Sequence, residues 1–471
     1  MDKEEIKNFF NRNVKNRIKW RKRNAYYWND IVRFYRFTVP KHASVLEVGC
    51  AVGDTLASIS AKKRVGIDFS AEMIARAKKR HKGIDFHVMD AEDITLNEKF
   101  DYIILSNSIG YLNDIQKVFE QLHKVSHRRT KIVITYYNFL WQPILSFAEK
   151  VHLRMKQPEQ NWLSIYDISN LLYLAGHEVF KSGQRLLIPI NIPILAPLIN
   201  RYVAPLPFLR NLCITNFVIA RPFPAKSDKE NSYTTSIVIP ARNESGNIED
   251  AVRRIPSFGK SIEVIFIEGN STDDTWEKIQ DVCNKYKDRM AIKIAQQDGK
   301  GKGDAVRKGF SMASGDILMI LDADLTVPPE DLPKFYAAIA SGKGEFINGS
   351  RLVYNMDKDA MRFLNILGNK FFSVMFTWLL DQRFKDTLCG TKVIFRDDYQ
   401  HLIEGRKFFG DFDPFGDFDL LFGASKLNLK IVELPIRYRE RKYGDTNISR
   451  FRHGMVLLRM CLFAAKKIKF L

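Results

Sequence analysis

The chain has 471 residues, 45% hydrophobic and 27% charged, with 73 Lys and Arg against 54 Asp and Glu, a formal charge of +19. That is ample apolar material for two cores, and it excludes a disordered or low-complexity chain. Five cysteines, at 50, 213, 283, 389 and 461, lack any Cys-x-x-Cys spacing, so neither a zinc site nor a disulfide framework is suggested, and a reducing cytosol suits them.

Residues 1–36 hold eleven Lys/Arg against four Asp/Glu, and their opening, Met1-Asp-Lys-Glu-Glu, has no apolar core, so no signal peptide is expected. Next, Ser44-Val-Leu-Glu47-Val-Gly49-Cys-Ala-Val-Gly53-Asp54 reads as an apolar strand running into a small-residue turn and a helix, with glycines that let the backbone approach a ligand closely. Arg64 to Asp68 is a second strand ending in an acid, placed to bind ribose hydroxyls. Phe86 to Met89, followed by Asp90-Ala91-Glu92, is a third, and Asp101 to Leu105 a fourth.

These residues resemble the class I S-adenosylmethionine-dependent methyltransferases over about residues 20–222, including Asn161-Trp-Leu-Ser164 and Ala175-Gly176-His177. The resemblance implies that Glu47, Gly49 and Gly53 cradle the methionine part of S-adenosylmethionine, Asp68 the ribose, and Asp90 and Ala91 the adenine edge. Ala51 stands where a glycine is common. A dehydrogenase is the competing reading of the turn, and a binding or scaffold module without methylation is a second alternative. Tyr26, Tyr27, Asn107 and Tyr111 are candidate bases by position alone.

Polar, proline-bearing residues 223–234 form a linker, so the expected domains are 1–222, with a basic helical extension at its start, and 235–471, with a basic amphipathic tail. Beyond the linker, Thr235 to Pro240 and Ile262 to Ile267 read as buried strands, each ending in a polar turn. A glycine-rich basic loop, Asp298-Gly-Lys-Gly-Lys-Gly-Asp304, precedes a helix, and the strand Ile317 to Ile320 leads into Leu321-Asp322-Ala323-Asp324. Such an order implies a mostly parallel sheet with ligand loops at the strand C-termini. Consecutive strand residues point to opposite faces, so Asp322 and Asp324 converge on one cation only if the strand breaks there.

The stretches at 238–248, 267–276, 301–310, 313–334 and 347–353 resemble the family 2 glycosyltransferases, nearest to the dolichyl- or polyprenyl-phosphate mannose synthase branch, over about residues 235–450. The resemblance implies a GT-A fold, a nucleotide-diphosphate sugar donor and Mg²⁺ or Mn²⁺, with Asp322 and Asp324 as metal ligands. Pro240, Arg242, Glu244 and Glu268 would line the nucleotide pocket with Asp322, Ala323 and Asp324. The fold class is thus α/β, two Rossmann-like domains in tandem. Glu268-Gly269 replaces a common Asp-Asp, and Thr326 a common Gln. Arg351, Arg362 and Arg441 are the expected phosphate ligands, since guanidinium grips phosphate through paired hydrogen bonds. Arg437, Arg439 and Arg441 would share one face of a strand.

A lipid monophosphate is already largely ionised at neutral pH and needs positioning more than deprotonation. The expectation is therefore transfer of sugar, with inversion, to a lipid (polyprenyl) phosphate. For a hydroxyl acceptor, Asp419 or Asp417 is the candidate base. Residues 430–471 hold eleven Lys/Arg against three Asp/Glu, and both basic ends interleave apolar and aromatic residues, which fits anionic lipid headgroups; no nucleic-acid module appears. The apolar runs Phe371 to Leu380, Leu186 to Leu198 and Met455 to Ala465 are too short or too proline-broken to span a bilayer. A peripheral protein on the cytosolic face of a membrane is expected.

Overall fold

The computed structural model describes residues 3–224, 232–351, 353, 363–406, 416–437, 439, 443 and 450–470. The chain divides into two compact units at 225/226.

In the first unit, α1 (Lys3–Arg12), α2 (Val14–Arg23) and α3 (Ala25–Thr38) precede β1 (Ser44–Val48), β2 (Lys63–Asp68), β3 (Asp85–Val88), β4 (Phe100–Ser106), β5 (Ser126–Tyr137), β6 (His177–Arg185) and β7 (Thr215–Pro222). Among the described residues these make a seven-stranded sheet ordered β3-β2-β1-β4-β5-β7-β6, parallel except for β7, which runs against both neighbours. Alternate residues feed opposite faces. Val45, Tyr102, Ile104 and Val133 pack with Ile31, Phe34 and Tyr35 of α3, while Leu46, Val48, Ile103 and Ile132 pack with Phe119, Ile168 and Leu172 on the other side. The helix Ile165–Leu174 starts on a reciprocal cap between Ser164 and Asp167, as its sequence suggests.

The second unit contains β8 (Thr234–Ala241), β9 (Ser261–Glu268), β10 (Ala291–Gln296), β11 (Ile317–Ile320), β12 (Phe346–Ser350), β13 (Lys392–Phe395) and β14 (Ile431–Pro435). Their order is β10-β9-β8-β11-β13-β12-β14, with β13 antiparallel to β11 and β12. Each sheet reverses its winding beside its first strand, between β1 and β4 and between β8 and β11. Open α/β sheets bind ligands at such a crevice, beyond the carboxyl ends of the strands.

One expectation fails. β14 ends at Pro435, so Arg437 and Arg439 do not share a strand face; proline has no N–H to continue a ladder. Arg439 instead donates its backbone N–H to the Thr326 carbonyl, 3.0 Å away, which lays this segment beside the Asp322–Asp324 loop. The helix Phe363–Leu380 buries Phe372, Phe376, Leu379 and Leu380, with Phe376 stacked on Phe422 of the helix Asp417–Lys426 at 5.1 Å, and leaves Phe371 and Val374 exposed. Among the described residues no helix is long and apolar enough to cross a membrane.

Candidate functional site

At the carboxyl end of β1 the chain makes three left-handed residues, Gly49 (φ 75°), Ala51 (φ 48°) and Gly53 (φ 76°). Glycine is required at the first, where a Cβ would strike the Ser108 side chain. Ala51 holds the second strained conformation because its N–H is fixed at 2.8 Å to Asp68 Oδ2, while Asp68 Oδ1 accepts from the Ser70 N–H at 2.9 Å. Burial pushes the Asp68 carboxyl up from the usual range, against the pull of these donors. Glu47 is buried beneath the turn and accepts the Leu56 N–H at 3.1 Å; burial pushes it up to about 8, with Arg21 pulling the other way.

A cleft of about 660 Å³ opens on this turn, lined by Gly49, Asp68, Asp90 and Ala91 among the residues expected from sequence. Glu47 and Gly53 lie outside its lining. Glu47 braces the helix Asp54–Ser58, and Gly53 packs where a Cβ would meet the Phe86 ring. Asn107 and Tyr111 line the cleft; Tyr27 lies behind it, accepting from the Asn107 amide at 2.6 Å. Among the lining residues not foreseen, three come from the N-terminal helices. Lys3 of α1 pairs with Asp90 and, at 3.0 Å, with Glu92; Phe10 packs edge-on against Tyr111 at 5.1 Å; Arg17 of α2 completes the roof. Their seven-residue spacing, which repeats along a helical face, was the available signal.

The cleft, the forced glycine and the acid at the end of β2 fit S-adenosylmethionine: Asp68 would take the ribose hydroxyls and Gly49 allows close backbone approach.

In the second unit the strand breaks where convergence of the two acids requires it. Leu325 is left-handed (φ 51°), its N–H bonded to the Asp322 carbonyl at 3.2 Å. Asp324 Oδ1 accepts from the Thr326 N–H (3.1 Å) and hydroxyl (2.8 Å), and Asp322 is paired with Lys302 Nζ at 2.6 Å. Lys302, from the glycine-rich loop, was not singled out by sequence; Gly390 packs so closely here that a Cβ would collide with both partners. Two hard carboxylates fit Mg²⁺ or Mn²⁺ completed by donor phosphates, and among the described residues no group of three acidic, His or Cys side chains offers a denser site.

Beside this loop, Pro240 is the penultimate residue of β8 and Arg242 follows the strand, exposed. Glu244 is buried, its carboxylate accepting from Asn247 at 2.7 Å, and Glu268 closes the neighbouring turn by accepting the Ser271 N–H at 2.5 Å. Tyr443 reaches the same turn, its hydroxyl 3.0 Å from Ser245 and its ring where a Gly246 Cβ would stand.

Arg351 is engaged elsewhere than expected. Its Nε and Nη2 donate to the fully buried Asp386 at 2.7 and 2.9 Å, and its backbone N–H makes a third bond at 2.9 Å. Burial pushes Asp386 up, but Arg351 outweighs it and the carboxyl sits below its ordinary value. Glu433 fixes that loop by accepting the Lys385 and Asp386 N–H groups at 2.8 and 2.9 Å. Asp419 sits in the first turn of its helix, 3.5 Å from Arg406 Nε. Arg362 and Arg441 lie outside the described residues.

Residues 40–175 match the family model described as a methyltransferase domain, and residues 236–402 that of glycosyl transferase family 2. A dolichol-phosphate mannosyltransferase of Pyrococcus furiosus is 40% identical over 120 residues, covering 25% of this chain and 33% of the relative. An undecaprenyl-phosphate 4-deoxy-4-formamido-L-arabinose transferase of Proteus mirabilis is 24% identical over 224 residues, 47% of this chain and 64% of the relative. The chain therefore spans between a third and two thirds of these curated relatives. Similar solved structures include a SAM-dependent methyltransferase of Thermotoga maritima (TM-score 0.37, 18% identity, 46% of this chain and 99% of that one). Another is a glucosyl-3-phosphoglycerate synthase of Mycobacterium tuberculosis with Mn²⁺ and UDP (TM-score 0.36, 18% identity, 50% and 80%).

Proposed function

Because this chain is a transferase that joins a methyltransferase domain to a family 2 glycosyltransferase domain, we propose that it is a bifunctional enzyme acting at a membrane surface. The second unit moves a sugar from a nucleotide-diphosphate donor to a lipid phosphate, and the first moves a methyl group from S-adenosylmethionine to a separate acceptor. The observation that carries this reading is the break of the strand at Asp322–Asp324, beyond β11 and next to β8 in the sheet, with the Arg439 backbone bonded to Thr326. A bound Mg²⁺ or Mn²⁺ would neutralise the charge that develops on the leaving diphosphate.

The residues of this chain do the rest. Thr326 holds the Asp324 carboxylate in place through two hydrogen bonds, Lys302 holds Asp322, and Gly390 leaves room for that pair. A phosphate acceptor brings its own negative oxygen, so the site must align it rather than remove a proton. Asp419, with Asp417 the candidate base for a hydroxyl acceptor, lies 3.5 Å from Arg406 Nε. Asp324→Ala should abolish sugar transfer while binding of S-adenosylhomocysteine by the first unit stays intact. Full transfer by that variant, or in EDTA, sinks the assignment. A product stable to mild acid would move the acceptor from a phosphate to a hydroxyl.

A further inference from the structure

A second opening, of about 700 Å³, adjoins the cofactor cleft and shares Arg17, Ala51, Asn107 and Tyr111 with it. Three arginines line it, Arg17, Arg21 and Arg154, against one carboxylate, Asp54. Arg21 lies over Trp28 at 4.2 Å and Arg154 over Tyr137 at 4.9 Å, so aromatic faces hold the guanidinium planes. Arg17 makes no ion pair among the described residues. Asp54 is held by Arg21 (3.4 Å), Arg80 (2.8 Å) and His81 (3.0 Å). The Tyr111 hydroxyl donates to Gln157 at 2.8 Å and accepts from Gln160, and burial pushes its phenol further up. Arg154 Nη1 is paired with Glu149 at 2.6 Å, so four arginines at the opening, Arg17, Arg21, Arg80 and Arg154, face two carboxylates, Asp54 and Glu149, and positive donors remain in surplus.

We infer that this opening receives the methyl acceptor, and that the acceptor presents an anionic oxygen, of phosphate or carboxylate, which is itself the nucleophile. The inference rests on the reading of the first cleft as the S-adenosylmethionine site. The balance is simple: an oxygen–methyl bond forms as the methyl–sulfur bond breaks, and the electron pair of that bond stays on sulfur. The sulfonium becomes a neutral thioether, the acceptor loses one negative charge, and no proton moves, so no general base is required. The arginines orient the acceptor, and attraction between anion and sulfonium favours their approach in a site screened from water.

The test uses the full chain saturated with S-adenosylhomocysteine, titrated calorimetrically with phenyl phosphate, benzoate and phenol. One of the two anions should bind at least about tenfold more tightly than phenol, and Arg154→Gln or Arg21→Gln should remove about that factor. Preference for phenyl phosphate assigns a phosphate acceptor, and preference for benzoate a carboxylate. Phosphate binding in the second unit is separated because it is untouched by these substitutions. Phenol binding as well as the anions, or anion binding unchanged in both variants, overturns the proposal. If Arg21→Gln fails to fold, Arg154→Gln decides. Parent chain that binds no S-adenosylhomocysteine sinks the cofactor reading and this one with it, whereas failure of the anion test alone leaves the cofactor reading standing.

A separate observation concerns the segment 186–212, which contains no acidic residue and carries Arg201 and Arg210. Its apolar side chains face outward, Phe208 at 87% and Ile194 at 78% exposure, both at left-handed residues (φ 69° and 66°) that bend the chain into projecting turns. Hydrogen bonds from Asn138 to the Asn211 carbonyl (2.9 Å) and from Trp141 to the Leu212 carbonyl (2.8 Å) join it to the helix Gln142–Lys150, which exposes Ile144 and Phe147. Soluble surfaces rarely expose so continuous an apolar patch. We propose that this face docks on an anionic lipid surface, its apolar tips entering the acyl boundary and the exposed Arg201 meeting headgroups. The full chain should co-sediment with vesicles of phosphatidylcholine and phosphatidylglycerol in a three-to-one ratio, and Ile194→Ser combined with Phe208→Ser should weaken that binding about tenfold. Unaltered vesicle binding overturns the proposal. So does a concentration-dependent dimer of the parent chain that the same substitutions abolish, which would make the face a self-association surface.

Discussion

Removing the Arg351 side chain would strand a carboxylate that has no access to water. Asp386 is fully buried and takes two of its bonds from that guanidinium, so Arg351→Ala should lower the stability of the second unit by about 3–5 kcal/mol, the usual cost of breaking one side of a buried pair. Urea unfolding followed in both units would check this, with the transition of the first unit unmoved. A loss of sugar transfer without loss of stability would restore Arg351 as a phosphate ligand. Glu47 gives the opposite pH behaviour from an acid whose folded pKa is lowered by a cation. Its folded value of about 8 lies above the 4.5 of an unperturbed glutamate. Across that window the unfolded chain releases a proton that the folded chain keeps, so stability is fullest below it and falls as pH rises, by up to about 1.4 kcal/mol per pH unit. Glu47→Gln should flatten the pH dependence of the first unit's unfolding midpoint; an unchanged slope would place the effect elsewhere. Sequence gave no access to either result. Arg351 and Asp386 are 35 positions apart, and the burial that lifts Glu47 depends on how the turn folds over it.

Strands whose apolar runs end abruptly in glycine or acid were legible almost to the residue. β11 spans Ile317–Ile320 as expected, and β8 and β9 differ from expectation by a single residue at each end. The break at Asp322–Asp324 was legible too, because two acids on a continuous strand would point to opposite faces, and β11 ends at Ile320. The run after β14 was not, since alternating arginines look the same on a strand or on an irregular segment, and only Pro435 hinted at the stop. Least legible was α1. Its basic and aromatic residues suit a lipid surface as well as a cleft, and pattern alone cannot say what a helix face meets. The structure turns Lys3 and Phe10 onto the cofactor cleft, so Phe10→Ala should weaken S-adenosylhomocysteine binding, by at most about 1.5–3 kcal/mol if the whole ring's burial is lost. Calorimetry with the full chain is the check, and unchanged affinity would make α1 a support of the fold alone.

Across the whole molecule, the formal charge of +19 is less available to outside partners than its clustering at the two ends suggests. Of the eleven basic residues in the first 36, Lys3, Arg17 and Arg21 are spent on the two openings of the methyltransferase unit. The apolar run Leu186 to Leu198, in contrast, read in sequence only as too proline-broken to span a bilayer, since proline-punctuated Leu and Ile runs fill both cores and surfaces. Its exposure needed the fold to be seen. The helix lying across the cofactor cleft also bears on time as well as on affinity. Lys3, paired with Asp90 and Glu92 on the lining of that cleft, stands where entry and departure of a cofactor would both be slowed. Lys3→Ala should therefore shorten the residence time of S-adenosylhomocysteine in stopped-flow displacement and hasten its capture by a similar factor, leaving the equilibrium constant nearly where it was. A dissociation rate that rises with no change in association would mean that Lys3 holds the ligand rather than the door, and turnover would then be set by chemistry and not by the slow exchange of one thioether for the next sulfonium.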